Sequence, residues 1–144
     1  MSGKTRKLDF SKDIAAVATP ELKTIDMGMP RPWRIALNLV EYQMQMIFDL
    51  TNPVTIGRAS PESGYNPDID LGAYAGSDRG VSRDHLIMKL EGDRVVIVDN
   101  HSANGTKLNG EWLEAGESYP LRHGDDLQLG LLQLRVELLT NPFG

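Results

Sequence analysis

Residues 79–90, RGVSRDHLIMKL, set a serine, two arginines, an aspartate and a histidine directly before a run of alternating apolar residues. Ser82, Asp84 and His85 are the residue types of a hydrolytic cluster. Histidine and aspartate together can also ligate a metal, and arginine with serine can hold an anion. A serine hydrolase of the α/β type needs its nucleophile on a strand-to-helix elbow, GxSxG, but here Asp84 stands where the second glycine should be and no helical pattern follows. A segment entering a strand also sends Asp84 and His85 to opposite faces. The chain is therefore expected to be non-catalytic, with His85 a satisfied histidine that pins a loop.

Metal chemistry finds no better support. His85, His101 and His123 are scattered, with no HxH or HExxH spacing. The stretch DIDLG from Asp68 opens like a calcium loop, yet Gly72 falls at the fifth ligand position and Arg79 where the bidentate glutamate belongs. There is no P-loop and no GxGxxG, so no cofactor is expected.

The 144 residues allow one domain with a real core plus a tail. The absence of cysteine excludes disulfides, thiolate zinc sites and cysteine nucleophiles. No apolar run reaches the length of a signal peptide or the ~18 residues of a membrane span, so a cytoplasmic chain without a membrane partner is expected. Charge is unevenly divided. Residues 1–32 carry six Lys/Arg against four Asp/Glu, and residues 33–144 carry nine against sixteen. A domain near −7 repels a polyanion, which argues against nucleic acid. A small local anion site stays open, because Arg58, Arg79, Arg83 and Lys107 cluster in or beside the motifs below.

Residues 1–32 lack sustained periodicity and read as a flexible tail, with at most a marginal helix at DIAAVA. From Trp33 the period becomes two. In QMQMIFDL, Met44, Met46, Phe48 and Leu50 alternate with Gln43, Gln45, Ile47 and Asp49, as in a strand with one buried face. Similar runs recur at RIALNLV, PVTIG, HLIMKL, RVVIVD, DLQLG and LQLRVELL. Turn residues separate them, among them Asn109-Gly110 between TKL and EWL. Short strands at regular spacing without crossover helices predict an all-β, antiparallel β-sandwich over 33–144. The interval from Ala59 to Gly80, rich in Gly, Pro, Asp and Tyr, is expected to form exposed loops around the short strand DIDL.

The anion reading draws on three segments. TIGR ends a strand at Gly57-Arg58, GVSRDH sets Ser82 and Arg83 on a loop, and HSANGTKLNG supplies Asn104-Gly105-Thr106. The arginine fork matches a phosphate, a serine hydroxyl adds a donor, and an asparagine amide can both donate to and accept from a peptide backbone. Each piece alone is common.

In this order, Gly57-Arg58, SRDH from Ser82 to His85, NGTKLNG from Asn104 to Gly110, and the later HGDDLQLG resemble the forkhead-associated (FHA) domain over roughly residues 33–139. The resemblance implies an eleven-stranded β-sandwich whose apical loops bind phosphothreonine peptides in signalling. It implies that Arg58 and Ser82 contact the phosphate, that Arg83 touches the phosphate or the peptide backbone, and that Asn104 bonds the ligand main chain. Gly57, His85 and Gly105 are then architectural, with Lys107 and Arg79 auxiliary. Ala103 departs from the many relatives that carry a hydroxyl residue there, so one phosphate contact is expected to be missing, with Arg83 or Lys107 to compensate. Asp78 and Asp84 are expected to weaken the anion field or to orient its arginines. The implied partner is a threonine-phosphorylated protein, or the chain's own tail phosphorylated at Thr19 or Thr24. The alternative is a phospho-independent scaffold or oligomerisation module.

Overall fold

The computed structural model describes residues 32–74 and 79–142. The proposed tail with Thr5, Thr19 and Thr24, and Asp78, lie outside the described residues. Eleven strands follow in order: β1 (Trp33–Leu39), β2 (Met44–Leu50), β3 (Val54–Gly57), β4 (Ile69–Asp70), β5 (Leu86–Glu91), β6 (Arg94–Asp99), β7 (Thr106–Leu108), β8 (Glu111–Trp112), β9 (Ser118–Pro120), β10 (Asp126–Leu129) and β11 (Leu132–Thr140). The only helical turn among the described residues is a 3-10 turn, Val40–Tyr42, joining β1 to β2.

The strands form two sheets, ordered β2-β1-β11-β10-β7-β8 and β4-β3-β5-β6-β9. Their inner faces follow the period-two pattern. Trp33, Ile35, Leu37 and Leu39 of β1 point inward with Leu132, Leu134 and Val136 of β11, and meet Ile56, Leu86, Met88, Val95 and Ile97 of the other sheet. Each such side chain contributes roughly 1.5–3 kcal/mol on leaving water. In β2 the alternation holds for Met46, Phe48 and Leu50, which turn toward the core while Ile47 stays exposed, but Met44 at the start of the strand is exposed as well, against expectation.

Most pairings are antiparallel, as the short turns require. The β3–β4 pair is parallel, through Ile56↔Ile69 and Gly57↔Asp70. A parallel neighbour was not expected without a helix. Here the connection from Arg58 to Asp68 does the crossing, closed on itself by the paired backbones of Ser60 and Tyr65. The acidic pair of DIDLG serves the backbone: Asp68 Oδ2 accepts from the Thr55 amide at 2.9 Å, and Asp70 Oδ1 accepts from the amides of Ala59 and Gly72 at 3.0 and 2.8 Å. These bonds hold the loop beside the end of β3, where Arg58 begins.

Candidate functional site

Three loops converge at one end of the sandwich: the exit of β3 at Arg58, the turn before β5 at Gly80–His85, and the β6–β7 connection at Asn100–Gly105. Hydrogen bonds join them in sequence. The Arg58 amide donates to the Arg83 carbonyl at 3.1 Å, and Arg58 Nε to the Val81 carbonyl at 2.9 Å. The Ala103 amide donates to Ser82 Oγ at 2.9 Å, and Asn104 Nδ2 to the Gly80 carbonyl at 3.0 Å. Gly57 makes the first approach feasible, because a Cβ there would lie 2.0 Å from the Arg83 carbonyl oxygen.

These bonds decide what each side chain can still offer. Arg58 is anchored through Nε alone, and among the described residues its two terminal nitrogens meet no carboxylate or carbonyl. The open edge of the fork suits a tetrahedral oxyanion. Ser82 Oγ accepts the hydrogen bond from the Ala103 amide and, among the described residues, donates none, so its own hydrogen can serve a ligand. Arg83 is exposed, with Nη1 3.3 Å from Ser63 Oγ. Asn104 is exposed, with its amide nitrogen directed at the Gly80 carbonyl.

Of the auxiliary cations, Arg79 forms an ion pair with Glu41, and Lys107 Nζ lies 4.6 Å from the centre of the Trp112 ring. Asp84 orients no arginine among the described residues; its Oδ2 accepts from Asn100 Nδ2 at 2.5 Å.

Beneath the loops lies a buried polar network. His85 is fully buried. Its Nδ1 accepts from the Ser82 amide at 2.9 Å, so the network assigns the proton to Nε2, which donates to the Gly105 carbonyl at 3.0 Å. One imidazole thus ties the Ser82 loop to the Asn104 loop. Asp99 fastens the second loop from its other end, accepting from the Ser102 amide and hydroxyl and from Thr106 Oγ1. Ser102 Oγ in turn accepts from the Gly105 amide at 2.9 Å.

Burial pushes the His85 pKa below its usual value, against the opposing pull of the Gly105 carbonyl and Asp99. Burial works against ionising Asp99, but its bonds from Ser102 and Thr106 prevail and hold the carboxyl below the usual range.

The two groups give separate acid steps. A depressed histidine stabilises the fold fully above its unfolded value of about 6.5, and that stability is lost as pH falls from there toward the folded value. Asp99 loses its contribution only below about pH 3.9. Thermal unfolding followed from about pH 8 to about pH 5 should therefore show the melting temperature falling once pH drops below about 6.5. A flat profile over that interval would contradict the neutral, doubly bonded His85.

Sequence reasoning overlooked Asp99, Ser102 and Thr106 as the scaffold of the Asn104 loop. The signal was present in DNHS, since an aspartate closing a strand three residues before a serine is the pattern of a side chain capping its own turn. Trp112 was also passed over, because nothing in EWL reveals that its ring lies against Gly105.

The family model for the FHA domain matches residues 54–130, more than half of the chain. The chain belongs to the FHA domain family. FHA domains are interaction modules. The protein FraH of Nostoc is 34% identical over 113 residues, covering 74% of this chain and 39% of FraH. The glycogen accumulation regulator GarA of Mycolicibacterium smegmatis is 34% identical over 87 residues, covering 60% of this chain and 50% of GarA. This FHA chain thus spans half or less of the length of these curated relatives. Among solved structures, an Arabidopsis thaliana FHA domain superposes with a TM-score of 0.63 at 24% identity, covering 85% of this chain and 98% of that one. The N-terminal FHA domain of Rad53p from S. cerevisiae, solved with a phosphothreonine peptide, gives 0.57 at 24% identity, covering 73% and 93%. Both share the fold.

Proposed function

We propose that residues 33–144 form a non-catalytic module that binds threonine-phosphorylated protein segments in signalling, with the phosphate held by Arg58, Ser82 and Arg83 and the ligand main chain by Asn104. The observation that carries this reading is the open edge of the Arg58 fork beside the uncommitted Ser82 hydrogen, both fixed by neighbouring backbone. A phosphothreonine brings a charge of about −1.5 to −2, and each charge-assisted hydrogen bond is worth roughly 1.5–3 kcal/mol. Two or three such bonds make phosphorylation the difference between binding and none. The bound peptide of the Rad53p domain supports the reading by family.

Residues 1–32 are proposed as a tethered segment. Phosphorylated Thr19 or Thr24 would compete for the site from within the chain at an effective concentration of up to the millimolar order. A cytoplasmic site of action belongs to the same proposal; no helix among the described residues is long and apolar enough to cross a membrane.

The test is an oriented phosphothreonine-peptide library against the whole chain, with phosphoserine and unphosphorylated controls measured by calorimetry. Binding confined to the phosphothreonine set is expected. Equal binding of all three sets would leave the sandwich as a phospho-independent scaffold.

A further inference from the structure

The two sheets have four edges, and three of them are guarded. β8 has two residues and carries Glu111, β4 has two and carries Asp70, and β9 has three and ends in Pro120. Short length, charge and proline all keep an exposed edge from pairing with another strand. The fourth edge, β2, runs for seven residues, MQMIFDL, with no lysine, arginine or proline. It pairs with β1 in unbroken register from Trp33↔Leu50 to Leu39↔Met44, so no bulge turns it away. Its other side meets no strand among the described residues. We infer that β2 is a docking edge for a second copy of this chain, with β2 pairing to β2 antiparallel about a two-fold axis through Ile47.

The strand matches itself in that register. A two-fold at Ile47 sets Ile47 opposite the partner's Ile47, Gln45 opposite the partner's Asp49, Met46 opposite the partner's Phe48 and Met44 opposite the partner's Leu50. On the outer face Ile47, 54% exposed, is covered by its twin. An amide faces a carboxylate on either side of it, and no like charges meet. On the inner face Met46 and Phe48 pack on the core but stay only partly buried, because the sheet stops there. A second β2 continues the sheet and pairs each thioether with a phenyl ring across the seam, a favourable contact.

The backbone supplies the rest. Alternate residues of a strand turn both N–H and C=O to one side, so about half of the residues of β2 face away from β1. Antiparallel pairing of those groups gives about six to eight hydrogen bonds across the seam.

Magnitudes place the dimer in the weak class. Seven residues a side is short beside the roughly 20–30 of a standard interface, so a dissociation constant on the order of 10–100 μM is expected. Residues 33–144 carry nine Lys/Arg against sixteen Asp/Glu, and two such domains repel. Physiological salt screens charges beyond about 8 Å, which leaves mainly the charges beside the seam. Met44–Phe48 carry none.

β2 starts at the loop end of the sandwich, just after Glu41, the partner of Arg79. The two-fold therefore points the loop ends of the two copies in opposite directions. With the phosphothreonine reading above, such a dimer joins two phosphorylated partners; the pairing itself does not depend on that reading.

The experiment is sedimentation equilibrium of the whole chain from about 5 to about 500 μM, with Ile47→Lys, Gln45→Glu and Gln45→Lys beside the wild type. The wild type should follow a monomer–dimer equilibrium. Ile47→Lys sets two ammonium groups face to face and should raise the dissociation constant at least about tenfold. Its melting temperature should hold, because Ile47 lies on the exposed face of an edge strand. Gln45→Glu opposes Asp49 twice per dimer and should weaken pairing several-fold, whereas Gln45→Lys should tighten it. Opposite signs at one position separate this register from general damage to the strand.

Hydrogen exchange locates the contact: β2 amides should exchange more slowly at the highest concentration than at the lowest. A wild type that stays monomeric throughout would leave the edge to another protein's strand and overturn the dimer. So would a dimer unaffected by Ile47→Lys, Gln45 variants that shift in the same direction, or β2 exchange that ignores concentration.

Discussion

Arg58→Ala is expected to lower phosphothreonine-peptide affinity by at least about a hundredfold while leaving the domain folded. The substitution removes the two terminal nitrogens, and two charge-assisted bonds at roughly 1.5–3 kcal/mol each exceed the 2.7 kcal/mol of a hundredfold change. The structural cost is small. Among the described residues only the Nε bond to the Val81 carbonyl disappears, worth about 1 kcal/mol, while the Arg58 amide keeps its bond to Arg83. Arg58→Lys should fall between, because a lysine keeps the charge but not the planar fork or the Nε anchor. Calorimetry with a phosphothreonine peptide, beside the melting temperature of each variant, checks both halves. Undiminished affinity in a folded Arg58→Ala protein would remove Arg58 from the site.

The histidine beneath it is expected to act in the opposite order, on stability first. His85→Ala removes a fully buried ring and leaves the Ser82 amide without an acceptor. The Gly105 carbonyl loses one donor but keeps the Gly130 amide. A cavity plus an unsatisfied amide costs about 3–5 kcal/mol, and a domain of this size loses roughly 10 °C or more of melting temperature. Peptide binding should weaken as a consequence, because the Ser82 and Asn104 loops lose the strut between them. Thermal unfolding and calorimetry on the same samples separate the two roles. An unchanged melting temperature with all binding lost would make His85 a ligand.

The difference between these two residues shows how far reading along the chain reaches. Gly57, Arg58, Ser82, Arg83, His85, Asn104 and Gly105 were singled out through their resemblance to the FHA motif, and the structure brings their three loops to one end of the sandwich. The inward set Met46, Phe48 and Leu50 was legible in the pattern itself: pleating alternates side chains whatever their partners are. Asn109-Gly110 likewise announces its hairpin, since both residues take the positive φ that such a turn needs. The strand Ser118–Pro120 was not legible. It is short, lies at a sheet edge, and carries too few apolar residues to show a period.

The sequence by itself determined an all-β chain and the family motif, because strand alternation and turn chemistry depend on residues a few positions apart. Only the tertiary structure decided which groups are spent and which remain free. Arg79 is paired with Glu41, Asp84 with Asn100 and Lys107 with Trp112, whereas among the described residues the terminal nitrogens of Arg58 and the hydrogen of Ser82 meet no partner. Most of those partners come from segments far apart in the chain, and Trp112 meets Lys107 only once the β7–β8 turn has closed. Hydrogen bonds and ring contacts act over a few ångströms, so no spacing along the sequence specifies them until the two sheets have packed.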